Sequence, residues 1–411
     1  MFSYPIAISL SPNTEKSDVL KSVKTLFIPN QWKIGNAVFK LEEWFRKYLE
    51  VDNAVSFNSG RSALYAILKS FDIGKGDEVL VQAFSCVAVP NAVTWTGAKP
   101  KYIDVDDSLN IDNKLLEKQI SIKTKAIIIQ HTFGIPANID MIKKITQKYK
   151  ILLIEDCAHS LGANIRGKKI GSYGDAAFFS FGRDKVVSSV FGGLAIINIK
   201  NAKVKYNLRN IRNKCLYPSY YWILQQLLHP IFFYLVLPLY NIYIGKLILF
   251  LLQKIKLLSK PIYKEELSGI KPDIFPSKMP NALASLLLNQ LDKIDRYNQM
   301  RINHANYYFR HIKKKDVILP VRKIGSIYLR FNILVDNSEE LLARAKHNKM
   351  ILGNWYKHII DPSNVDYEKI GYKIGSCTQA EKFSKLSVNL PTYPRLSQDD
   401  LDNIVNFINN V

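Results

Sequence analysis

Five short apolar runs recur through the first part of the chain: Ala54–Phe57, Glu78–Gln82, Pro100–Asp104, Ala126–Gln130 and Ile151–Ile154. Each reads as a strand, and Ala63–Phe71, Val87–Thr96 and Ile139–Tyr149 between them carry apolar residues at helical spacing. Strands alternating with helices predict an α/β fold, a mostly parallel sheet covered on both faces. In such sheets functional groups gather beyond the C-terminal ends of the strands. Asn58–Gly60, Phe84–Cys86, Gln130–His131 and Asp156–His159 all fall at such ends.

Two of these ends carry chemistry. The run Ile151–Ser160 places Glu155 and Asp156 after a strand, and Gly171–Gly193 follows with Ser180 in an apolar run, Lys185 beyond it, and the pair Gly192–Gly193. Lysine, carboxylate and serine after buried strands are what a pyridoxal phosphate site requires: an amine for the Schiff base and an acid that keeps the ring nitrogen protonated. Strand, Ser59–Gly60 and helix start put free backbone N–H groups where a phosphate could sit, and Arg61 could add charge there.

The formal charge of +22 suggests an anionic partner, such as a phosphorylated substrate or anionic lipid. A lysine-rich solvated surface explains it equally well, and the nucleic-acid class is excluded because no zinc-finger or ribonucleoprotein pattern accompanies the charge. Cys86, Cys157, Cys215 and Cys377 have no paired spacing, which fits a reducing cytosol, and no metal-ligand pattern emerges. The first eighteen residues do not read as a secretion signal, having no basic start before a long apolar run.

After a further strand, Leu194–Ile199, the pattern breaks. Ser219–Gly245 contains no Asp, Glu, Lys or Arg, with basic residues before it (Arg209, Arg212, Lys214) and after it (Lys246, Lys254, Lys256). Its length would cross a bilayer, but Pro230 and Pro238 interrupt it, which predicts shorter helices. Two readings stay open: interfacial helices on an anionic membrane, or buried helices, a lid or a dimer contact. Beyond it, Ala282–Ile312 predicts one long helix. Val317–Leu319, Tyr328–Val335 and Lys385–Asn389 predict strands, and Glu339–Asn348 and Gln398–Asn409 helices.

Taken in order, IGNAVFKLEEWF, NSGRSAL, FSCVAVPNAVTWTGAKPKYIDVD, IIIQHTFGIPANID, LLIEDCAHSLGANIRGKKIGSYGDAAFFSF, the Lys185 region, LLLNQLDKID and LSVNLPTYPRLSQDDL resemble the sugar aminotransferases of the DegT/DnrJ/EryC1/StrS family. The resemblance covers nearly the whole chain apart from about 215–269. It implies the aspartate aminotransferase-like fold (pyridoxal phosphate fold type I), with a large domain over 1–280 carrying the 215–269 insertion. A long helix and a smaller C-terminal α+β domain would fill 281–411. By the same resemblance Lys185 forms the Schiff base and shuttles the proton. Asp156 holds the pyridinium and stays ionised, with a lowered pKa. His159 stands where the family has Gln or His near the phenolic oxygen, Ala158 packs on the ring, and Ser180, Gly60 and Arg61 take the phosphate.

Three positions depart from the family's pattern. Cys86 stands where an aromatic residue usually stacks on the ring, so stacking is either weakened or supplied by Phe84. Val190–Phe191 precede the glycine pair in place of Gly-Glu. Pro276-Ser277-Lys278-Met279 replaces Asn-x-Arg-Met, whose Asn reaches the partner subunit's phosphate, leaving Lys278 to supply the arginine's charge. Lys185 argues against the dehydrating branch, which has His there. The resemblance implies transfer of an amino group, from glutamate, to a keto sugar linked to a nucleotide, for surface polysaccharide or lipopolysaccharide. It also implies a cytoplasmic homodimer, and Ser219–Gly245 raises contact with the membrane's inner face. The rival reading is a membrane-associated regulatory protein on a degenerate copy of this fold.

Overall fold

In the computed structural model, which describes residues 4–410, seven strands form one sheet. They are β1 (Ala54–Phe57), β2 (Glu78–Gln82), β3 (Lys99–Ile103), β4 (Thr124–Gln130), β5 (Leu152–Asp156), β6 (Ala176–Ser180) and β7 (Gly193–Ile197). Their order across the sheet is β1-β7-β6-β5-β4-β2-β3, with β7 antiparallel to both neighbours and the rest parallel. Successive side chains face opposite sides. Phe179 packs with Leu41, Phe45 and Leu283, whereas Phe178 packs on the other face with Ile67, Val79 and Leu208. Both faces are therefore buried, which explains why these strands are apolar runs rather than alternating patterns.

The reversed strand matters to the site. Because β7 runs backwards, its first residue, Gly193, lies at the edge where β1 and β6 end, paired with Phe57 and Ser180. A Cβ on Gly193 would lie 2.2 Å from the Ser59 carbonyl carbon. The glycine pair thus lets the Asn58–Gly60 turn settle against β7.

The apolar stretch forms a helix, Tyr220–Val236, a 3-10 segment, Leu237–Ile242, and a second helix, Ile244–Lys254. Pro230 does not end the first helix, contrary to expectation; the helix runs through it, and Pro238 opens the 3-10 segment. Tyr220–Ile242 is long and apolar enough to cross a membrane, but half of that stretch is buried. The helix packs on Lys16–Leu26 and Asn281–Leu291, with Trp222, Ile223 and Leu227 in the main core. Residues near the N-terminus fasten it: Ser11 Oγ lies 2.6 Å from His229 Nε2, and Ser22 Oγ donates to the Leu227 carbonyl.

The expected single helix Ala282–Ile312 is two, Asn281–Leu291 and Ile294–His311, broken at Asp292–Lys293. The first packs entirely in the main core. The second passes from that core at Ile294 to a separate one at Ala305 and Tyr308. That second core is built on the antiparallel pair β8 (Arg330–Leu334) and β9 (Ser387–Pro391) with helices Ser338–His347 and Gln398–Asn410. Val317–Leu319 contributes one isolated bridge, Ile318 to Leu334. Lys385 lies in the last turn of a helix, Thr378–Leu386, rather than opening the strand.

Candidate active site

A cavity of about 360 Å³ lies at the edge where β1, β4, β5 and β6 end and β7 begins. Its walls include Gly60, Arg61, Cys86, Gln130, Asp156, Ala158, His159, Ser180 and Lys185. A larger cleft of about 700 Å³, lined by Tyr48, Asp52, Lys168 and Lys200, holds none of these groups.

Asp156 closes β5 and is 3% exposed. Its Oδ1 accepts the Ala158 N–H at 2.9 Å, and its Oδ2 has no partner among the described residues. Burial pushes its carboxyl up to about 6, the pull of Lys185 and His131 being too weak to offset it. The expected lowered value is thus overturned for the chain alone: no cation touches the carboxylate. Glu155 beside it faces away and is structural, accepting N–H groups from Gly171, Tyr173 and Gly174.

Lys185 sits in the turn after β6, and its Nζ lies 2.9 Å from His159 Nε2. The Phe133 N–H points at His159 Nδ1 at 3.4 Å, so both ring nitrogens face a nitrogen donor. The ring is neutral because burial holds its pKa well below the usual range, with Lys185 and Arg330 adding to the effect. Asn13 fixes the turn by donating to the Lys185 carbonyl at 2.7 Å, and buried Arg301 bonds both Asn13 and the Val186 carbonyl.

Helix Gly60–Ser70 begins at the same edge, capped by the Ser59 side chain, which accepts the Ser62 N–H. The first-turn N–H groups of Gly60 and Arg61 have no intrahelical acceptor. A Cβ on Gly60 would come 2.8 Å from Ser180 Cβ, so glycine keeps this corner open beside the serine hydroxyl. The Arg61 side chain does not serve the corner as expected. It pairs with buried Glu266, donates to the Pro261 carbonyl at 2.9 Å and lies over the Phe275 ring.

These features fit pyridoxal 5'-phosphate. A buried carboxylate keeps one oxygen open, a lysine stands beside a neutral imidazole, and a glycine-lined helix start lies next to a hydroxyl. The match with known proteins agrees. The family's sequence model covers residues 13–220 and 259–409. The chain belongs to the DegT/DnrJ/EryC1/StrS aminotransferase family. It is 25% identical to a pleiotropic regulatory protein of Geobacillus stearothermophilus over 397 residues, covering 95% of this chain and 93% of that protein. It is 26% identical to the UDP-N-acetyl-3-dehydro-alpha-D-glucosamine 3-aminotransferase of Acidithiobacillus ferrooxidans, covering 96% and 93%. The structure of Helicobacter pylori PseC, an aminotransferase of pseudoaminic acid biosynthesis, shares the fold with a TM-score of 0.75 at 20% identity, covering 99% and 97%.

Against the family pattern, the departures resolve individually. Phe84 does not replace the ring-stacking aromatic. It is fully buried, edge-on to Phe133 and Tyr356, and absent from the cavity wall, whereas Cys86, Trp355 and Tyr356 line it. Val190 and Phe191 both line the cavity, Val190 at φ 70°. Lys278 is not on this cavity; it lies over the Tyr217 ring, while Ser277 pins the Asn58–Gly60 turn through Asn58.

Several cavity residues were not singled out from the sequence. Arg183 and Asp184 precede Lys185, and their charge in an apolar stretch was a usable signal. Arg330, buried inside the apolar strand β8, pairs with Asp184 and lies 3.6 Å over the Trp355 ring. Burial raises Asp184, but Arg330 and Lys185 outweigh it and hold it below the usual carboxylate range. Burial raises Asp361 to about 7. Trp355 and Tyr356 lie in a turn and Asp361 in a two-residue strand paired with Ser85–Cys86, segments too short to leave a periodic signal. Phe233, Gln253, Pro261 and Ile262 bring the apolar insertion itself to the cavity wall.

Proposed function

We propose that this chain is a pyridoxal phosphate-dependent aminotransferase that moves an amino group from an amino-acid donor, glutamate, to a keto group of a nucleotide-linked sugar. The observation that carries the reading is the convergence of Lys185, His159, Asp156, Ser180 and Gly60 on one cavity at one sheet edge. The cofactor, when bound, supplies an electron sink for breaking and making the substrate's C–N and C–H bonds.

The chain's own groups do the rest. Lys185 Nζ is the amine that would hold the cofactor and would take and return the proton at the substrate carbon. Asp156 would keep the ring nitrogen protonated, and His159 would face the phenolic oxygen. Ser180 Oγ and the N–H groups of Gly60 and Arg61 would hold the phosphate, with Ala158 and Cys86 beside the ring. Arg183 meets the substrate. Its Nη2 bonds Ser259, and its Nη1 has no partner among the described residues, leaving an unpaired cation on the wall for the acceptor's phosphate.

We infer further a large cofactor domain and a smaller C-terminal domain, with the boundary inside Ile294–His311, where the packing changes core. The reading carries a homodimer, which sedimentation tests, a cytoplasmic setting, and a place in surface polysaccharide or lipopolysaccharide synthesis. It also carries contact of the insertion with a membrane surface. The retention of Lys185, Asp156, Ser180 and His159 on one cavity argues against a degenerate fold. Purified chain supplied with glutamate and keto-sugar nucleotides should give an amino sugar by mass spectrometry. No product from a panel of 3-keto and 4-keto sugar nucleotides overturns the substrate assignment.

A further inference from the structure

Residues 221–258, which form paired helices, lie outside the family's sequence model. The first is built into the fold, but the second is built in on one side only. Gly245 and Leu249 are buried; a Cβ on Gly245 would meet the Val236 carbonyl oxygen at 2.7 Å, so glycine lets the helix close on the turn before it. Its C-terminal end is pinned, with Tyr221 Oη and Gln225 Nε2 both donating to the Lys256 carbonyl.

The opposite face is apolar and bare. Ile244, Leu247, Phe250, Leu251 and Ile255 are 47–61% exposed and, with Tyr243, fall on one side of the helix. Lys254 lies within this stripe, and Lys246 and Lys256 flank it. No Asp or Glu occurs anywhere between Asp184 and Glu265. A rigid apolar stripe edged only by cations matches an anionic lipid surface, where the side chains enter the acyl boundary and the lysines meet headgroup phosphates.

We propose that the outer face of Ile244–Ile255 docks this protein peripherally on an anionic membrane. The docking element is therefore the second helix, not the longer apolar stretch before it. Through Phe233 and Gln253, which line the cavity, the same insertion ties the docked surface to the site.

Flotation of the full chain with vesicles tests this without reference to turnover. The chain should float with equimolar phosphatidylcholine and phosphatidylglycerol, and high salt or pure phosphatidylcholine should release it. Leu247→Glu with Phe250→Glu should lower partitioning roughly a hundredfold, and Lys246→Gln, Lys254→Gln and Lys256→Gln together should do so by a similar factor. Both substitution sites in the first variant are exposed, and an unchanged melting curve verifies its fold. Failure of the parent chain to float on anionic vesicles, or equal flotation of parent and Leu247→Glu/Phe250→Glu, overturns the proposal. If vesicles bind neither protein and light scattering without lipid shows that the variant alone loses mass, the face belongs to a second copy of the chain, and the proposal is overturned as well.

Discussion

Asp156 holds one oxygen in a backbone hydrogen bond and keeps the other open to the cavity, and its protonation decides whether the cavity can hold a cation. With the carboxyl at about 6 in the chain alone, it is neutral below that pH, so affinity for the cofactor should fall by up to about tenfold per pH unit below about 6. The linked stability runs the other way. The folded-state value lies above the ordinary 3.8, so this group favours the cofactor-free fold most at low pH, and that contribution is lost as pH rises through about 6. Cofactor titrations and melts of the cofactor-free chain across this range should show opposite trends. Asp156→Asn should flatten both and weaken cofactor binding by roughly tenfold to a hundredfold, the worth of one charge-assisted bond. At Arg183 the expected effect is on substrate. Arg183→Gln should raise KM for the sugar by about tenfold or more with little change in KM for the amino donor, as steady-state kinetics with each substrate varied would show. The residues that converge on the cavity could be picked out because they stand at or a few residues beyond the end of a buried strand. Arg61 was misread because its partner, Glu266, lies some two hundred positions along the chain, and spacing carries no information about such a pair.

At the scale of elements, the insertion is fastened where helix Gly60–Ser70 begins. Glu266, fully buried, accepts from Arg61 and from the Tyr263 N–H, and its carbonyl accepts from Asn91. Removing it strands a nearly buried guanidinium, so Glu266→Ala should destabilise the protein by about 3 kcal/mol or more, read as a lowered denaturant midpoint. Weaker cofactor retention should accompany it. Deleting Ser219–Gly245 would not isolate a membrane effect, because Trp222, Ile223 and Leu227 belong to the main core. The sequence could not reveal this. An apolar stretch without charges satisfies a bilayer and a protein interior alike, and only the packing of Tyr220–Val236 on Lys16–Leu26 separates the two. Pro230 misled for a related reason: tertiary packing and the neighbouring Gln226 and His229 hydrogen bonds support a helix that local propensity would break.

Over the whole molecule, the alternation of strands and helices was enough to read a parallel sheet and the edge where chemistry collects. It could not show that β7 runs antiparallel, which brings Gly193 to the site and makes the glycine pair intelligible. Nor could it show that β8 and the 352–361 loop carry Arg330, Tyr356 and Asp361 onto the same cavity. Tyr356 packs with Phe84 and Phe133 from the sheet edge, and all three residues lie far along the chain from the motifs that precede them on the cavity. All of this geometry has its chemical meaning through Lys185. The absorbance spectrum of the purified protein, recorded with and without added pyridoxal 5'-phosphate, is the most direct test of that meaning. The native chain should show a visible band from cofactor held through Lys185 that sodium borohydride abolishes while fixing the label to the tryptic peptide containing Lys185, and Lys185→Ala should show neither band nor label. Identical spectra for native and Lys185→Ala proteins, or a label on another lysine, would contradict the account.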